Sequence, residues 1–290
     1  MSIPLDSECI QCHLRRNLET ARTLGTEAQA TALAKDLLKL YLSAPEDVSS
    51  PWLAPATADL FQKHYGVPED RFRQEKEISN RFVLERLDDI RTRVEEAEDP
   101  LLAGLQFAIL GNYIDFSALQ GQVSFEELDA LLNRAEKMTP VGDGFEALRA
   151  DLERGKKLLY LTDNAGEIGF DRIFAEVIHK VYPQLQITFC VRGGPAMNDA
   201  LRADAALMGI PFPVIDNGNR VAGTQIDQLS GEAKAALDGA DVIIAKGQGN
   251  IETMYGCGYN VYYAFLVKCS RFVKVFGQPK LTPMLVRERA

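Results

Sequence analysis

The sequence predicts an α/β protein with a helical N-terminal half and a C-terminal half built on a mostly parallel sheet. Two observations support this prediction. In residues 14 to about 150, apolar residues recur at three- and four-residue spacing, as in amphipathic helices. From about Arg154, short apolar runs alternate with amphipathic segments, a pattern typical of parallel strands covered on both faces. We therefore expect a helical domain at residues 1–150 and an α/β domain at residues 151–290.

Four helices are predicted from the apolar spacing in the N-terminal half, at residues 28–42, 76–97, 100–109 and 125–135. Ser124 and Glu127 form a Ser-x-x-Glu capping box, which indicates a helix start. The stretch 43–55 is rich in Ser and Pro and is predicted to be a loop.

Five strands are predicted in the C-terminal half, at residues 158–162, 187–191, 212–215, 242–245 and 261–267. Three segments between them have helical periodicity, at residues 167–181, 198–208 and 226–237. In open α/β sheets, ligands bind at the carboxyl ends of the strands. Candidate site residues are therefore those that directly follow the strands.

Composition and charge exclude several classes of function. The net charge of −9 argues against nucleic-acid binding, which normally needs a basic face. No apolar stretch reaches the roughly 20 residues of a membrane helix, and the N-terminus lacks the features of a secretory signal. We expect a cytoplasmic protein with neither a nucleic-acid nor a membrane partner, and the sequence predicts no oligomeric state.

The five cysteines are too few and too scattered for a disulfide framework. Cys9, Cys12 and His13 match the Cys-x-x-Cys-His haem-attachment pattern, which would need an exported protein. The two cysteines could also form half of a zinc site, but no second cysteine pair follows. We favour a reduced thiol pair without a cofactor.

Polar side chains follow four consecutive predicted strands. Asp163 and Asn164 follow the first, and Asp199 comes shortly after the second. Their carboxylate and amide oxygens are the ligand type that suits Mg²⁺ or Mn²⁺. Arg192 and Lys246, also at strand ends, supply the positive charge that a phosphate needs. Together these groups suit phosphoryl transfer, in which positioning and charge neutralisation dominate.

Structural explanations of the same residues compete with the functional one. Asp-Asn after a strand is often a turn, and Asp199 could cap a following helix. The segment from Gly247 to Glu252 begins like a dinucleotide-binding loop but lacks the third glycine, which argues against NAD. The joint placement of polar residues at four strand ends favours a functional site.

Three segments resemble a known family. LTDNAGEIGFDR, VRGGPAMNDALRADA and ADVIIAKGQGNIET are similar to signature segments of the damage-control phosphatases, also called domain of unknown function 89. The N-terminal Cys-x-x-Cys and the segment GNYIDF resemble its prokaryotic-type branch. The resemblance runs from about Cys9 to Pro279. It implies that an N-terminal all-helical domain packs on a Rossmann-like, mostly parallel α/β domain, with the site between them.

The resemblance implies a metal-dependent phosphatase that hydrolyses small phosphorylated metabolites, such as sugar phosphates or damaged phosphometabolites. Asp163, Asn164 and Asp199 match the family's ligands for a divalent ion, either Mn²⁺, Mg²⁺, Co²⁺ or Ni²⁺. Lys246 matches the lysine of the Lys-Gly-x-Gly-Asn motif, which is expected near the phosphate. The attacking group is left open between a metal-bound water and Asp163.

The remaining expected pocket residues are assigned by motif. Glu167 is expected to take part in catalysis together with Asp163 and Lys246. Four residues are expected to bind substrate, two from the α/β half and two from the helical half: Arg192, Asn250, Asn112 and Asp115.

Two other functions are compatible with this fold. An S-adenosylmethionine-dependent methyltransferase would rest on the Rossmann-like sheet alone, and methyl transfer does not require a divalent metal flanked by Lys and Arg. A non-catalytic phosphometabolite-binding protein would use the same metal ligands without turnover. The set of charges favours the phosphatase over the methyltransferase.

Overall fold

The computed structural model describes residues 3–114, 130, 132–133, 135 and 138–288. Among these residues, a single six-stranded sheet has the order β3-β2-β1-β4-β5-β6. Its strands are β1 (Lys157–Leu161), β2 (Gln186–Val191), β3 (Val214–Asp216), β4 (Val242–Lys246), β5 (Val261–Leu266) and β6 (Pro283–Arg287). Strands β1 to β5 pair in parallel, and β6 runs antiparallel to β5. The predicted fold class is confirmed.

Helices precede the sheet and connect its strands. Those that the described residues form before β1 are α1 (Ser7–Leu24), α2 (Glu27–Ser43), α3 (Ala54–Tyr65), α4 (Arg73–Leu84), α5 (Leu87–Glu96), α6 (Pro100–Gly111) and α7 (Gly144–Arg154). Those after it are α8 (Glu167–Val181), α9 (Arg202–Leu207), α10 (Gly231–Gly239), α11 (Gly247–Met254) and α12 (Ser270–Phe276). None of the helices in the described ranges is long and apolar enough to cross a membrane.

The sheet separates two apolar cores, because successive side chains of a strand point to opposite faces. Leu158 and Tyr160 of β1 belong to the core that also contains residues of α4, α5, α6 and α8. Leu159 and Leu161 belong to the opposite core, which includes Leu237 of α10 and residues of α11 and α12. A third, smaller core joins α1, α2 and α3. The helical half therefore shares one of its cores with the sheet.

The predicted division at residues 150 and 151 falls inside α7, which packs against β6. Val141, just before α7, forms a parallel bridge with Met284 of β6. The segment around α7 is thus attached to the edge of the sheet. The two-domain division itself stays a prediction.

Several predicted elements differ from those observed. The helix predicted at 76–97 is two helices, α4 and α5, and the loop predicted at 43–55 contains a 3₁₀ turn at Ser50–Leu53 before α3 begins. The helix predicted at 226–237 starts late, because the Ser230 hydroxyl caps α10 by accepting from the Ala233 N–H at 3.2 Å. The predicted helix at 125–135 and its Ser124 box lie largely outside the described residues.

Candidate active site

The strand order changes direction between β1 and β4, the point at which ligands bind in doubly wound sheets. Asp163 follows β1, and Lys246 is the last residue of β4. Gly247 comes next with φ +75°, and a Cβ there would lie 2.0 Å from the Asp163 Oδ2. Glycine is required at this position because a side chain would occupy the space of the Asp163 carboxylate.

The segment after β2 folds back across the end of β1. Ala200 N–H donates to the Asp163 carbonyl at 2.8 Å, and Ala165 N–H donates to the Asn198 carbonyl at 2.9 Å. Asn164 and Asp199 consequently form an antiparallel bridge. The helix predicted at 198–208 begins only at Arg202, because residues 198–200 use their backbone groups for this closure. The closure brings Asp199 beside Asp163.

Four residues beneath the strand ends form what we call the lysine cluster: Lys246, Glu167, Asp171 and Tyr160. The Lys246 Nζ donates to Glu167 Oε1 at 2.7 Å, to Asp171 Oδ1 at 2.6 Å and to the Ala108 carbonyl at 2.7 Å. The Tyr160 hydroxyl donates to the same Asp171 oxygen at 2.8 Å. Lys246 and Glu167 are fully buried, so all three ammonium donors are committed to protein acceptors.

The lysine cluster has strongly perturbed ionisation. Burial lowers the pKa of Lys246, but the carboxylates of Asp171 and Glu167 outweigh it and hold the pKa above its ordinary value. Burial raises the pKa of Asp171 to about 7; the Lys246 charge opposes this rise, whereas Glu167 adds to it. The ammonium therefore stays charged, and the Asp171 carboxyl takes up a proton as the pH falls below about 7.

Four other residues form what we call the arginine cluster: Arg192, Asp163, Asp199 and Asn250. The Arg192 Nε donates to Asp199 Oδ2 at 2.6 Å, and its Nη1 donates to Asn250 Oδ1 at 3.3 Å. Its Nη2 lies 3.9 Å from Asp163 Oδ1 and has no hydrogen-bond partner among the described residues. A buried guanidinium with an unpaired nitrogen beside two carboxylates is costly unless another group completes it.

Asn112, at the end of α6, connects the helical half to both clusters. Its Nδ2 donates to Asp163 Oδ2 at 2.8 Å and to Glu167 Oε2 at 3.0 Å. Its Oδ1 is buried and has no partner within the part of the chain that the structure describes. Asn80 of α4 gives further support, since its Oδ1 accepts from the Gly166 N–H at 2.7 Å. The helical half thus holds the loop after β1 in place.

Asp163 lies close to two other carboxylates, those of Asp199 and Glu167. Burial raises its pKa well above the ordinary value, and the charges of Asp199 and Glu167 raise it further. The positive charges of Lys268 and Arg192, in that order, lower it. A site of this kind is stabilised by an additional cation.

The residues expected to hold a divalent ion fit that function chemically. Asp163 and Asp199 repel each other electrostatically, and the nearby Asn112 Oδ1 is an oxygen acceptor without a partner among the described residues. No group of three Asp, Glu, His or Cys side chains in the described ranges could hold a metal, so the set depends on amide oxygens. Hard oxygen donors of this mixed type are those that Mg²⁺ and Mn²⁺ accept.

Asn164 needs a rearrangement to serve as a ligand. Its Nδ2 faces the carboxylates, donating to Asp163 Oδ2 at 2.8 Å and to Glu167 Oε2 at 2.6 Å. Its Oδ1 accepts from the Asn198 Nδ2 at 2.8 Å. Ligation through Oδ1 requires the amide to turn over. Its Nδ2 would then face the Asn198 amide, which must turn as well to offer an oxygen.

The structure brings together all the predicted site residues that it describes, while Asp115 lies outside the described residues. Asp171 and Tyr160 were missed because they act through side chains in α8 and β1 and do not follow the end of a strand. Lys268 was also missed. It follows β5, so a census extended to the fifth strand end would have found it.

The site residues are nearly enclosed by protein, with Lys246, Glu167 and Asn250 showing no exposure. A cavity of about 920 Å³ lies elsewhere, at the start of α6, and is lined by residues such as Asp99, Gln106 and Arg149. None of the clustered residues lines it. The chemistry of the side chains, and not cavity size, therefore identifies the candidate site.

Comparisons with known proteins found similar proteins that match nearly the whole chain. Residues 5–282 match the model of the damage-control phosphatase ARMT1-like domain. The chain is 31% identical over 276 residues to a damage-control phosphatase of Archaeoglobus fulgidus, covering 93% of this chain and 94% of that one. It is 32% identical over 188 residues to a damage-control phosphatase of Pyrococcus horikoshii, covering 64% of each chain.

A solved structure shows the same fold. The crystal structure of a DUF89 family protein from Pyrococcus horikoshii superposes with a TM-score of 0.85 at 26% sequence identity, covering 99% of both chains. The arrangement of helices before a mostly parallel sheet is thus shared with that protein along nearly its whole length.

Proposed function

The chain belongs to the damage-control phosphatase ARMT1-like domain family and is a phosphatase, and from this we propose that it hydrolyses small, damaged phosphorylated metabolites with the aid of a divalent cation. The family resemblance of the three sequence segments is confirmed. The names of the relatives favour phosphate hydrolysis over the methyltransferase alternative.

One observation carries the proposal. Two buried carboxylates, Asp163 and Asp199, lie beside a buried guanidinium, and its Nη2 is unpaired in the described part of the chain. Carboxylates favour a cation, and the unpaired Arg192 nitrogen favours an anion. A divalent ion together with a phosphate ester satisfies both demands at one place.

We assign the cation to Asp163, Asn164 and Asp199. Phosphatases of this family generally depend on a divalent metal. When bound, such an ion supplies positive charge to the phosphate oxygens as negative charge moves to the leaving group. A phosphatase assay with each of the four ions Mn²⁺, Mg²⁺, Co²⁺ and Ni²⁺ identifies the one that supports turnover best.

Side chains of the protein bind the phosphate and position the reacting groups. Arg192 has two N–H bonds on Nη2 available for a phosphate oxygen, while Asn250 holds the guanidinium from its other side. Asn112 fixes Asp163 and Glu167 relative to each other. Asp115, three residues further along, stays a proposed substrate contact. The attacking oxygen comes from water or from Asp163, as proposed from the sequence.

The test is a phosphatase screen over sugar phosphates and cofactor phosphates, with and without each of the four ions. We expect metal-dependent release of phosphate from the wild type. Asp163→Ala and Asp199→Ala should each abolish turnover and weaken Mn²⁺ binding by about 100-fold or more, because each removes a charge and a ligand.

Asp216→Ala is the matched control, since Asp216 also ends a strand but pairs with Arg202 at 2.6 Å outside the site. Its metal affinity and turnover should equal those of the wild type. Calorimetric titration with Mn²⁺ that gives near-wild-type affinity in both Asp163→Ala and Asp199→Ala would remove the metal assignment. A wild type inactive on every phosphate ester would remove the proposed substrate class.

A further inference from the structure

The side chain of Asn250, expected from its motif to bind substrate, is fully occupied by contacts within the protein. Its Nδ2 donates to the Thr162 carbonyl at 3.0 Å and to the Lys246 carbonyl at 2.6 Å. Its Oδ1 accepts from the Thr224 hydroxyl at 2.8 Å and from Arg192 Nη1 at 3.3 Å. An amide has two N–H donors and two acceptor lone pairs, so these four bonds use all of them. Because Asn250 is also fully buried, a substrate could bind it only by displacing one of these partners.

Thr224 lies in the loop between β3 and α10 and packs directly against α11. It is buried, and its backbone N–H donates to the hydroxyl of Thr253 in α11 at 2.9 Å. Two glycines permit this close packing. A Cβ at Gly223 would lie 2.5 Å from the Gly249 carbonyl oxygen, and a Cβ at Gly249 would lie 2.1 Å from the Ala222 carbonyl oxygen. The Thr224 hydroxyl is therefore held at a fixed place beside the first turn of α11.

The Asn250 oxygen is shared unequally between its two donors. The bond from Thr224 is 2.8 Å long, whereas that from Arg192 Nη1, at 3.3 Å, exceeds the ordinary N–H···O length of about 2.9 Å. At the other end of the guanidinium, Nε donates to Asp199 Oδ2 at 2.6 Å. Because a guanidinium is planar and rigid, fixing Nε and Nη1 also fixes Nη2, the nitrogen without a partner among the described residues.

We propose that Thr224 is a positioning residue of the phosphatase, and that it acts through Asn250 on Arg192. This inference rests on the proposed function and specifies how the site orients the nitrogen that binds a phosphoryl oxygen. The Thr224 hydroxyl and the Asn250 amide together set the place of the guanidinium, and Asn250 itself does not contact the substrate. Without the hydroxyl, Nη1 of Arg192 is the only donor to the Asn250 oxygen and approaches it to the ordinary distance, which moves Nη2 as well.

The test removes the Thr224 hydroxyl and then restores it. Thr224→Val has a similar shape but no hydroxyl, and it should weaken binding of inorganic phosphate at saturating Mg²⁺ about 10-fold, the upper range for one neutral hydrogen bond. Calorimetric titration measures this affinity, and kcat/KM for an ester that the wild type hydrolyses should fall at least as much. Thr224→Ser keeps the hydroxyl and should restore both quantities to within a few-fold of the wild type. A serine variant as impaired as the valine variant overturns the inference.

Thr57→Val is the matched control for the loss of a buried hydroxyl. Thr57 is a buried residue of α3, and its hydroxyl donates to the Leu53 carbonyl at 2.7 Å. Thermal unfolding should show that both valine variants fold with a similar loss of stability, since each lacks one buried hydrogen bond. Only Thr224→Val should lose phosphate affinity. An equal loss in Thr57→Val would mean that reduced stability causes the effect, and this overturns the inference.

A double-mutant cycle tests whether Thr224 acts through Arg192. Arg192→Lys keeps the positive charge beside Asp199 but has no second nitrogen for the Asn250 oxygen. Adding Thr224→Val to Arg192→Lys should therefore leave kcat/KM unchanged, because a positioning residue has no further effect once its target is altered. If Arg192→Lys is too slow to assay, Asn250→Ala serves as the background, since it removes the oxygen that both donors share. A further loss of about 10-fold in either background shows that Thr224 acts independently, and this overturns the inference.

The failure of this inference is distinguishable from the failure of the proposed function. Wild-type phosphate affinity and kcat/KM in Thr224→Val overturn the inference while leaving the proposed function intact. A wild type that neither binds phosphate nor hydrolyses any ester overturns the proposed function, and the inference with it.

Discussion

The two charged clusters lie side by side at the ends of β1 and β4, yet they differ in how completely their polar groups are paired. In the lysine cluster, all three donors of Lys246 have acceptors. Only the Asp171 Oδ2 lacks a partner there among the described residues. In the arginine cluster, a whole nitrogen of Arg192 is unpaired in the described part of the chain, and two carboxylates lie beside it.

This difference shows which charges are structural and which are available. A buried ion pair with its hydrogen bonds satisfied contributes rigidity and resists rearrangement. A buried donor without an acceptor destabilises the folded protein, and a ligand that offers an acceptor removes this destabilisation. Residue type alone does not make this distinction, because both clusters combine one cation with two carboxylates.

Moving a carboxylate of the arginine cluster, without removing any charge, is expected to have the largest effect. A Cβ at Gly247 would lie 2.0 Å from Asp163 Oδ2. Gly247→Ala should therefore lower kcat by about 10²-fold or more, the scale for a misplaced catalytic group. The measurement is steady-state kinetics together with thermal unfolding.

Gly258→Ala is the matched control for the Gly247 variant. Gly258 has a similar φ of +79°, but a Cβ there meets nothing within 4 Å. The strain of about 1–2 kcal/mol is then the same, while kcat should be unaffected. Equal losses of activity in both variants would show that backbone strain alone, and not the position of Asp163, causes the effect.

The lysine cluster should appear in the pH dependence of stability. The pKa of Asp171 is raised from 3.8 to about 7, so its stabilising contribution is present below its ordinary pKa and is lost as the pH rises through about 7. Asp171→Asn should flatten the decline in unfolding free energy between about pH 5 and about pH 8. Urea unfolding of both proteins at the two pH values measures this difference in unfolding free energy.

Part of that decline should remain in Asp171→Asn. Burial also raises the pKa of Glu252 to about 7 and that of Asp163 well above its ordinary value, so both groups act in the same direction. If the unfolding free energy declines equally in the wild type and in Asp171→Asn, Asp171 is ionised over this whole pH range. The lysine cluster would then carry the negative charge of Asp171 even below about pH 7.

The smallest effect is expected outside both clusters. Cys12 is exposed, and the Sγ of Cys9 accepts from Arg271 Nη1 at 3.1 Å. Cys9→Ser with Cys12→Ser should leave turnover within a few-fold of the wild type, as measured by steady-state kinetics. Stoichiometric zinc or haem in the purified protein that disappears in the double variant would contradict this expectation.

Strand ends were the most predictable part of the site. Apolar runs mark β1, β2 and β4, and a parallel sheet necessarily collects the residues after them, such as Asp163 and Arg192, at one edge. Pairing within the site was not predictable, because it depends on contacts distant in sequence. The bond from Asn112 to Asp163 and the commitment of Lys246 to Asp171 are two such contacts.

The missed elements have local reasons. β6 is short, begins at Pro283 and lies at the edge of the sheet, where proline is tolerated and the strand pattern is weak. α11 begins with Gly-Gln-Gly, a sequence that usually favours loops. α9 begins later than predicted, because residues 198–200 use their backbone groups in hydrogen bonds to the loop after β1. In each case, tertiary contacts outweighed the local signal.

The antiparallel β6 has a consequence for synthesis of the chain. Every residue of β5 is buried, and β6 covers its outer edge. A nascent chain that has not yet reached Pro283 presents β5 as a bare, apolar edge strand, the kind of surface that pairs with other unfinished chains. Val141 is synthesised much earlier, and its β-bridge can form only after Met284 has been synthesised. Of the six strands in this sheet, the one synthesised last thus covers β5 and protects it against aggregation.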